Sequence, residues 1–500
     1  MGQKKEVQML EAAAERLAAL EARVRQDRDY LCRPAANWVL PRRHGKEPVV
    51  DVVVIGGGMV GQLAWFALNS AGIRNLRILD RAPAGIEGPW LTYARMETLR
   101  SPKQLTGPAY GYGSLTFRAW YTAIFGEAAW ETLDKIPRVT WMDYLKWYRR
   151  VLAVPVENEV AVRRILPDGD DLRLELAGKG ARAASILARK VVMATGRDGT
   201  GHPSIPAFAE GLPRSHWAHS SDDIGFDHLK GRRVVVIGAG ASAVENAAEA
   251  LEHGAKETRL LVRRKAMPTI NKMMGIGSFG FTAGFAELPD EWRWRFMQYS
   301  FVTQTPAPRG STLRVSRHKN AYFHFGQGIK SARLAGEEIV IETTGSIRLA
   351  TDFLILGTGF TVDPLARSEL DGYADEIELW RDRYGPPAGE ESSDLGNFPY
   401  LNGDFTFRER EPGKAPWLDK IYCFNYGASA SLGKVSGDIP GISEGAAWLA
   451  RALAARLYRE DVVAHFQGML DYDKPELQGD EWTESELEAD AVAPLQETGD

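Results

Sequence analysis

Apolar side chains recur at Leu10, Ala13, Leu17, Leu20 and Val24, with Glu and Arg residues between them. That three-to-four spacing lines one face of a helix and predicts an amphipathic helix from about Glu6 to Tyr30. The stretch from Arg33 to Pro48, with its prolines, ends it. A different pattern follows: a continuous β-branched run from Val49 to Ile55, which reads as a strand buried on both faces. A second such run, Arg232 to Ile237, again opens onto a glycine-rich turn and a helical pattern. The chain therefore carries the strand-turn-helix device twice, which predicts an α/β fold. Beyond Tyr472 the sequence is rich in Asp and Glu and poor in large apolar residues, and there the pattern predicts disorder.

The two turns carry the first chemical signal. After Ile55 come Gly56, Gly58 and Gly61 in G-x-G-x-x-G spacing. In such a turn the first glycine permits the tight reversal, the second lets a pyrophosphate approach the backbone, and the third lets helix and strand pack closely. A short strand from Asn75 to Leu79 then ends in Asp80, where a carboxylate can accept both hydroxyls of an adenosine ribose. An unphosphorylated ribose suits FAD or NAD. The second turn has Gly238, Gly240 and Ala243 in the G-x-G-x-x-A form, with a helix to about His253. Its following strand, Glu257 to Val262, ends in Arg263 and Arg264 instead of an acid. Guanidinium forks suit a 2′-phosphate, which points to NADPH over NADH; the competing reading is a solvated basic strand end.

Composition narrows the field. With 500 residues, 44% of them apolar, the chain can fill the cores of about two or three domains. Lys plus Arg at 61 against Asp plus Glu at 66 gives a net charge of -5, which argues against nucleic acid as a partner. No N-terminal apolar stretch reads as a secretion signal and no run approaches the roughly 20 apolar residues of a membrane span, so a cytoplasmic protein without a membrane partner is expected. Cys32 and Cys423 are the only cysteines, which excludes a disulfide framework and a C-x-x-C redox pair. His216, Trp217, His219 and Ser220 lie together but lack a spaced Cys or acid set, so no metal site is expected.

From about Asp51 to Leu457 the motifs resemble, in their order, those of the class B flavin-dependent monooxygenases: flavin-containing monooxygenases, Baeyer-Villiger enzymes and amino-acid N-hydroxylases. After the first turn come Gly88 with Trp90, then Ala194, Thr195 and Gly196 at a strand end, then the second turn, then Gly357, Thr358 and Gly359 at another strand end. The resemblance implies two Rossmann-like dinucleotide-binding domains, the NADPH domain inserted in the FAD domain, with an N-terminal helix. The implied division is helix and linker over 1–47, FAD domain over 48–200 and 351–465, NADPH domain over 201–350, and an acidic tail over 466–500. It also implies FAD contacts at Trp90, Thr195, Gly196, Gly359 and Asp438. The Gly437-Asp438 pair resembles one that holds the ribityl chain; an ordinary loop with Asp438 capping the next helix is the alternative.

In the linking stretch LPRSHWAHSSDDI, His219 and Ser220 match the family fingerprint while Pro213, Ser215 and Asp223 depart from it. His219 is either a hinge histidine bonded to backbone or an acid-base group. The segment METLRSPKQLTGP resembles the N-hydroxylating branch, in which a lysine at the position of Lys103 holds a substrate carboxylate. Arg100 and Lys103 are read as anion holders for substrate, as NADPH contacts, or as a charged loop.

The implied activity is NADPH- and O2-dependent oxygenation of a small molecule through a C4a-(hydro)peroxyflavin. N-hydroxylation of an amine or amino acid stands ahead of Baeyer-Villiger or sulfur oxidation, on the Lys103 region alone. Two competing readings keep the nucleotides but not oxygen insertion: an NADPH-flavin reductase, and a nucleotide sensor. The apolar face of the N-terminal helix must pack on its own domain or on a second subunit of a homo-oligomer.

Overall fold

The β-branched run forms the inner strand of a first sheet, Glu47–Ile55, with Val52, Val53 and Val54 fully buried. It is two residues longer than the apolar run because Pro48 and Glu47 pair with Arg43 and His44 of a short antiparallel strand. Its parallel neighbours are Leu76–Leu79 and Ser185–Met193; Val156–Glu157 extends the sheet on one side and Ile421–Cys423 pairs with Ser185–Met193. Antiparallel strands Asp171–Ala177 and Ala161–Asp168 complete the eight. Ile55 stands opposite both Leu79 and Met193. Gly56, Asp80 and Ala194 therefore leave the sheet side by side at its carboxyl edge, where open α/β sheets build their sites.

A second sheet repeats the arrangement. Its five strands, all parallel, run in the order Ala321–Phe325, Glu257–Val262, Arg233–Ile237, Phe353–Leu356, Trp217–His219. Ile237 is level with Leu261 and Leu356, so Gly238 and Gly357 emerge together. Phe353–Leu356 was expected in the first sheet's part of the chain, from 351 on. It pairs with Arg233–Ile237 instead, and the second sheet reaches to 356. An antiparallel three-stranded sheet over 329–351 precedes that strand.

The computed structural model describes residues 2–485, with side chains from Leu10 onward; of the acidic tail expected over 466–500, residues 486–500 lie outside the described residues. The N-terminal helix, Gly2–Tyr30, packs in part on its own chain, Leu10 remaining exposed. Val24 is fully buried, Ser114 donates to Asp27 at 2.5 Å, Arg16 donates to the Ala123 carbonyl at 3.0 Å, and Trp147 donates to Glu21 at 3.1 Å. Trp147 belongs to the helix Arg138–Val151, whose Trp141, Tyr144 and Tyr148 are also buried in an aromatic core with Phe117 and Trp120. Among the described residues, 2–454 form one unit and 455–485 belong to another, the latter containing the end of the helix Ile442–Glu460 and the helix Val462–Leu470. No helix among the described residues is long and apolar enough to cross a membrane.

Candidate functional site

The first turn has the shape its glycines foretell. Gly56 has φ of +106°, and a Cβ there would stand 2.4 Å from the Ala194 carbonyl oxygen. A Cβ on Gly61 would come within 1.7 Å of the Gly56 oxygen, so only glycine lets the helix Met59–Ser70 start this close to the strand. A Cβ on Gly58, by contrast, would meet only the Gly88 backbone, at 3.7 Å. Two glycine backbones thus leave a groove at the helix N-terminus, which fits a pyrophosphate. At its end, Asp80 accepts from the Gly57 N–H at 2.6 Å and the Ala82 N–H at 2.7 Å. Burial pushes the Asp80 carboxyl up, and these two N–H bonds oppose it.

The loop carrying Gly88 is held from behind by residues that the motif reading passed over. Arg149 pairs with buried Glu87 at 2.5 Å, and the same carboxylate accepts from the Asn158 amide at 2.6 Å and from the Gly85 N–H at 2.9 Å. Trp90 lies edge-on to Trp141, 6.2 Å between centroids, and its carbonyl accepts from Arg138.

At the second turn Gly238 has φ of +123°, and its Cβ would stand 2.5 Å from the Gly357 oxygen. Ala243 is fully buried, and a Cβ on Gly357 would meet its methyl at 2.5 Å, which is why the third position tolerates alanine but Gly357 has no room for more. Arg264 donates to Gln304 at 3.1 Å, and Gln304 lies 3.5 Å from where a Cβ on Gly240 would stand. Arg263 beside them is exposed. The groove, the guanidinium groups and the Gln304 amide fit a phosphorylated dinucleotide. Gln304 ends the helix Asp290–Thr303 at φ +55°, a position no sequence motif marks.

The strand end Ala194–Gly196 is tied to the later loop by Asn425, which is fully buried. Its amide donates to the Met193 carbonyl and the Thr195 hydroxyl, both at 3.1 Å, and its oxygen accepts from Thr200 at 2.6 Å and the Gly427 N–H at 2.8 Å. Ser436 donates to the Asn425 carbonyl at 2.6 Å, one residue before Gly437 and Asp438. Asp438 makes no capping hydrogen bond; Lys434 stands 3.6 Å from its carboxylate.

The three residues marked for catalysis are not gathered at one point. Lys103 donates to the Trp130 carbonyl at 2.6 Å and lies 4.9 Å from the Trp130 ring centre, so its ammonium closes the end of the helix Glu127–Thr132. His219 is buried with both ring nitrogens engaged, Nδ1 with Ser221 at 2.7 Å and Nε2 with the Gly359 carbonyl at 2.9 Å. Burial pulls its pKa down, and the neutral ring with Nε2–H donating satisfies both contacts. Gly359, with φ of +79°, is held by that bond. Arg100 alone stands at the junction of the two turn-bearing parts. It donates to the Pro306 carbonyl at 2.6 Å; burial works against its charge, and the Glu245 and Asp438 carboxylates, which it does not bond, support it.

Arg100 belongs to a larger charged seam absent from the motif reading. The helix Ala241–Glu252 presents Glu245, Glu249 and Glu252 on one face. Arg314, itself buried, donates to Glu252 at 2.5 Å, to Glu249 at 2.8 Å and to the Arg95 carbonyl at 3.0 Å. Burial works against the Arg314 charge, but these carboxylate bonds outweigh it and raise its pKa. Burial also works against the charges of Arg95 and Arg138, which Glu249 supports in both cases and Glu245 in the case of Arg138.

Comparison with known proteins agrees with this geometry. Residues 53–198 match the FAD-NAD(P)-binding family, and residues 129–300 match the L-lysine 6-monooxygenase/L-ornithine 5-monooxygenase family. The chain is 38% identical over 467 residues to the FAD-dependent urate hydroxylase of Xanthomonas campestris pv. campestris, covering 93% of this chain and 98% of that protein. Among solved structures, the Kutzneria ornithine N-hydroxylase with reduced FAD, NADP+ and L-ornithine superposes with a TM-score of 0.63 at 16% identity, over 82% of this chain and 100% of that one. The FAD-bound cadaverine monooxygenase of Erwinia amylovora gives 0.61 at 17%, over 82% and 95%. At such identities the two structures establish the fold.

Proposed function

Because the chain belongs to the family of the FAD-dependent urate hydroxylase and is an FAD- and NADPH-using monooxygenase, we propose that it inserts one atom of O2 into urate or a closely similar planar, anionic ring. The second oxygen atom leaves as water, with two electrons from NADPH and a proton. FAD, when bound and reduced by NADPH, supplies the activation of O2. The observation that carries the reading is the end-to-end 38% identity with that hydroxylase. The partly desolvated charges of Arg95, Arg100 and Arg138 suit an anionic substrate.

In this reading Gly56, Gly58 and Gly61 hold the FAD pyrophosphate, Asp80 its ribose, and Trp90, Thr195, Gly196, Gly359 and Asp438 border the remainder. Gly238, Gly240 and Ala243 cradle the NADPH pyrophosphate, with Arg263, Arg264 and Gln304 at its 2′-phosphate. The NADPH-binding part is the insertion, from about 201 to the end of Phe353–Leu356. His219 acts as a positioning residue that fixes the Gly359 strand end. Arg100 meets the anion.

A second reading, N-hydroxylation of an amine or amino acid, is favoured by the family match over 129–300. With the Lys103 ammonium engaged by Trp130, Arg100 would have to receive the substrate carboxylate. The test is NADPH oxidation and O2 uptake by the purified holoenzyme with urate, lysine or ornithine. Urate loss in step with NADPH supports the first reading, and hydroxylamine formation supports the second. NADPH consumed at one rate regardless of substrate, with all oxygen recovered as peroxide, would defeat both.

A further inference from the structure

Arg197 follows Gly196 at the strand end read above as bordering FAD, and it is exposed. Its guanidinium lies over the ring of half-buried Tyr426, 3.5 Å from the ring centre. Among the described residues no hydrogen bond or ion pair engages that guanidinium. Arg100 and Arg95, by contrast, are committed to the carbonyls of Pro306, Thr92 and Asp222. The ring beneath Arg197 is fixed from several sides. The Tyr426 N–H donates to the Gly196 carbonyl at 3.3 Å, Phe398 meets the ring edge-on with 5.5 Å between centroids, and a Cβ on Gly437 would stand 3.8 Å from the Tyr426 nitrogen. Two more rings come from neighbouring motifs: Phe360 follows Gly359, Tyr93 lies three residues after Trp90, and their centroids are 6.4 Å apart. Burial pushes the Tyr93 hydroxyl up to about 12, and the charge of Arg197 opposes that rise, so Tyr93 lies within its field. Each of these residues adjoins one read as bordering FAD. The uncommitted guanidinium and the three rings therefore border the same cofactor.

We propose that Arg197, laid flat on Tyr426, takes the anionic edge of the substrate ring, a contact additional to Arg100, with Tyr426 as its positioning residue. The inference rests on the reading of the substrate as urate or a planar anion like it. Stacking on a ring fixes the plane of a guanidinium without using any of its five N–H donors. A fork held in that way meets two adjacent acceptors of a planar anion at once. A lysine in the same place would bring a point charge on a flexible stem, with neither the fork nor the stack.

Urate dissociation constants, by equilibrium dialysis of the oxidised holoenzyme with NADP+, and urate KM at saturating NADPH are measured on the native chain, Arg197→Gln, Arg197→Lys and Tyr426→Leu. Expected is a weakening of roughly tenfold to a hundredfold in Arg197→Gln, of which Arg197→Lys recovers part. Tyr426→Leu should weaken urate too, and the double variant should be no worse than Arg197→Gln alone. NADPH affinity and flavin content should stay native in Arg197→Gln, and hypoxanthine, an uncharged ring of similar shape, should lose far less affinity than urate. Arg197 is exposed and bonds nothing else, so its variants keep the fold. Unchanged urate affinity in Arg197→Gln, or a loss shared equally by NADPH, would overturn the proposal, and full additivity in the double variant would remove the role given to Tyr426. A native chain that neither binds nor oxidises urate ends the urate reading and this inference with it. A native chain that oxidises urate, matched in both constants by Arg197→Gln, ends this inference alone.

Discussion

Asn425 donates to the Thr195 hydroxyl at 3.1 Å, across 230 residues of chain, and so fastens the loop ahead of Gly437 to the strand end Ala194–Gly196. The same side chain takes hydrogen bonds from Thr200 and Gly427 with no exposure to solvent. Removing its amide donors leaves buried acceptors unmet, at roughly 1–3 kcal/mol each. Asn425→Asp is therefore expected to lower the melting temperature and to retain less FAD after gel filtration. Thermal denaturation and the flavin-to-protein absorbance ratio check this; a variant with native values on both would refute it.

Gly61→Ala places a methyl 1.7 Å from the Gly56 oxygen, against backbone that cannot move aside without opening the turn. Overpacking of this kind costs about 1–3 kcal/mol or more. The expected product is insoluble or colourless protein. Gly113→Ala, where a Cβ meets nothing within 4 Å, is the matched control and should purify yellow at normal yield.

Arg263 and Arg264 are expected to read the 2′-phosphate. Each lost charged contact is worth about 1.5–3 kcal/mol, or roughly tenfold to a hundredfold in affinity. Arg263→Ala and Arg264→Ala should raise the KM for NADPH by that order while leaving NADH use and kcat little changed. Steady-state kinetics with both nucleotides decides it, and an unaltered NADPH to NADH preference would remove these residues from the site.

Arg314→Leu strands Glu249 and Glu252 beside a buried apolar side chain, and breaking a buried pair from one side costs roughly 3 kcal/mol. The pH dependence has a definite sign. Because the Arg314 bond depresses the Glu252 pKa in the folded chain, the stabilisation is present above the ordinary carboxylate range and is lost as pH falls through the folded value. The melting temperatures of native and variant chains should differ most at neutral pH and converge in acid. A gap that is constant or widens in acid contradicts the assignment.

The contrast between Lys103 and Arg100 shows where sequence reading ends. Both were marked by one segment and one charge, yet Lys103 reaches the Trp130 carbonyl, 27 residues away, while Arg100 reaches Pro306, 206 residues away. Spacing along a loop carries no information about which distant carbonyl or carboxylate a flexible cation will meet.

What the chain's own pattern determined was local: two buried β-branched strands, each turning on glycines whose missing side chains are required within a few residues, and the acid or arginine that ends the next strand. Gly56, Gly61 and Gly238 are legible because the turn's positive φ at the first glycine and the tight strand-to-helix contact at the third recur at fixed spacing, although the neighbours that also bar a Cβ at Gly56 and Gly238, Ala194 and Gly357, lie far along the chain. Only the folded chain decided that Asn425 ties Thr195 to the Gly437 loop, that Gln304 stands beside Gly240 and Arg264, and that Glu245 is buried among cations drawn from three other elements. Those are long-range juxtapositions, created when separate elements pack. They leave no period or spacing in the sequence, since any residue of the right chemistry at any distance along the chain can serve once packing brings it there.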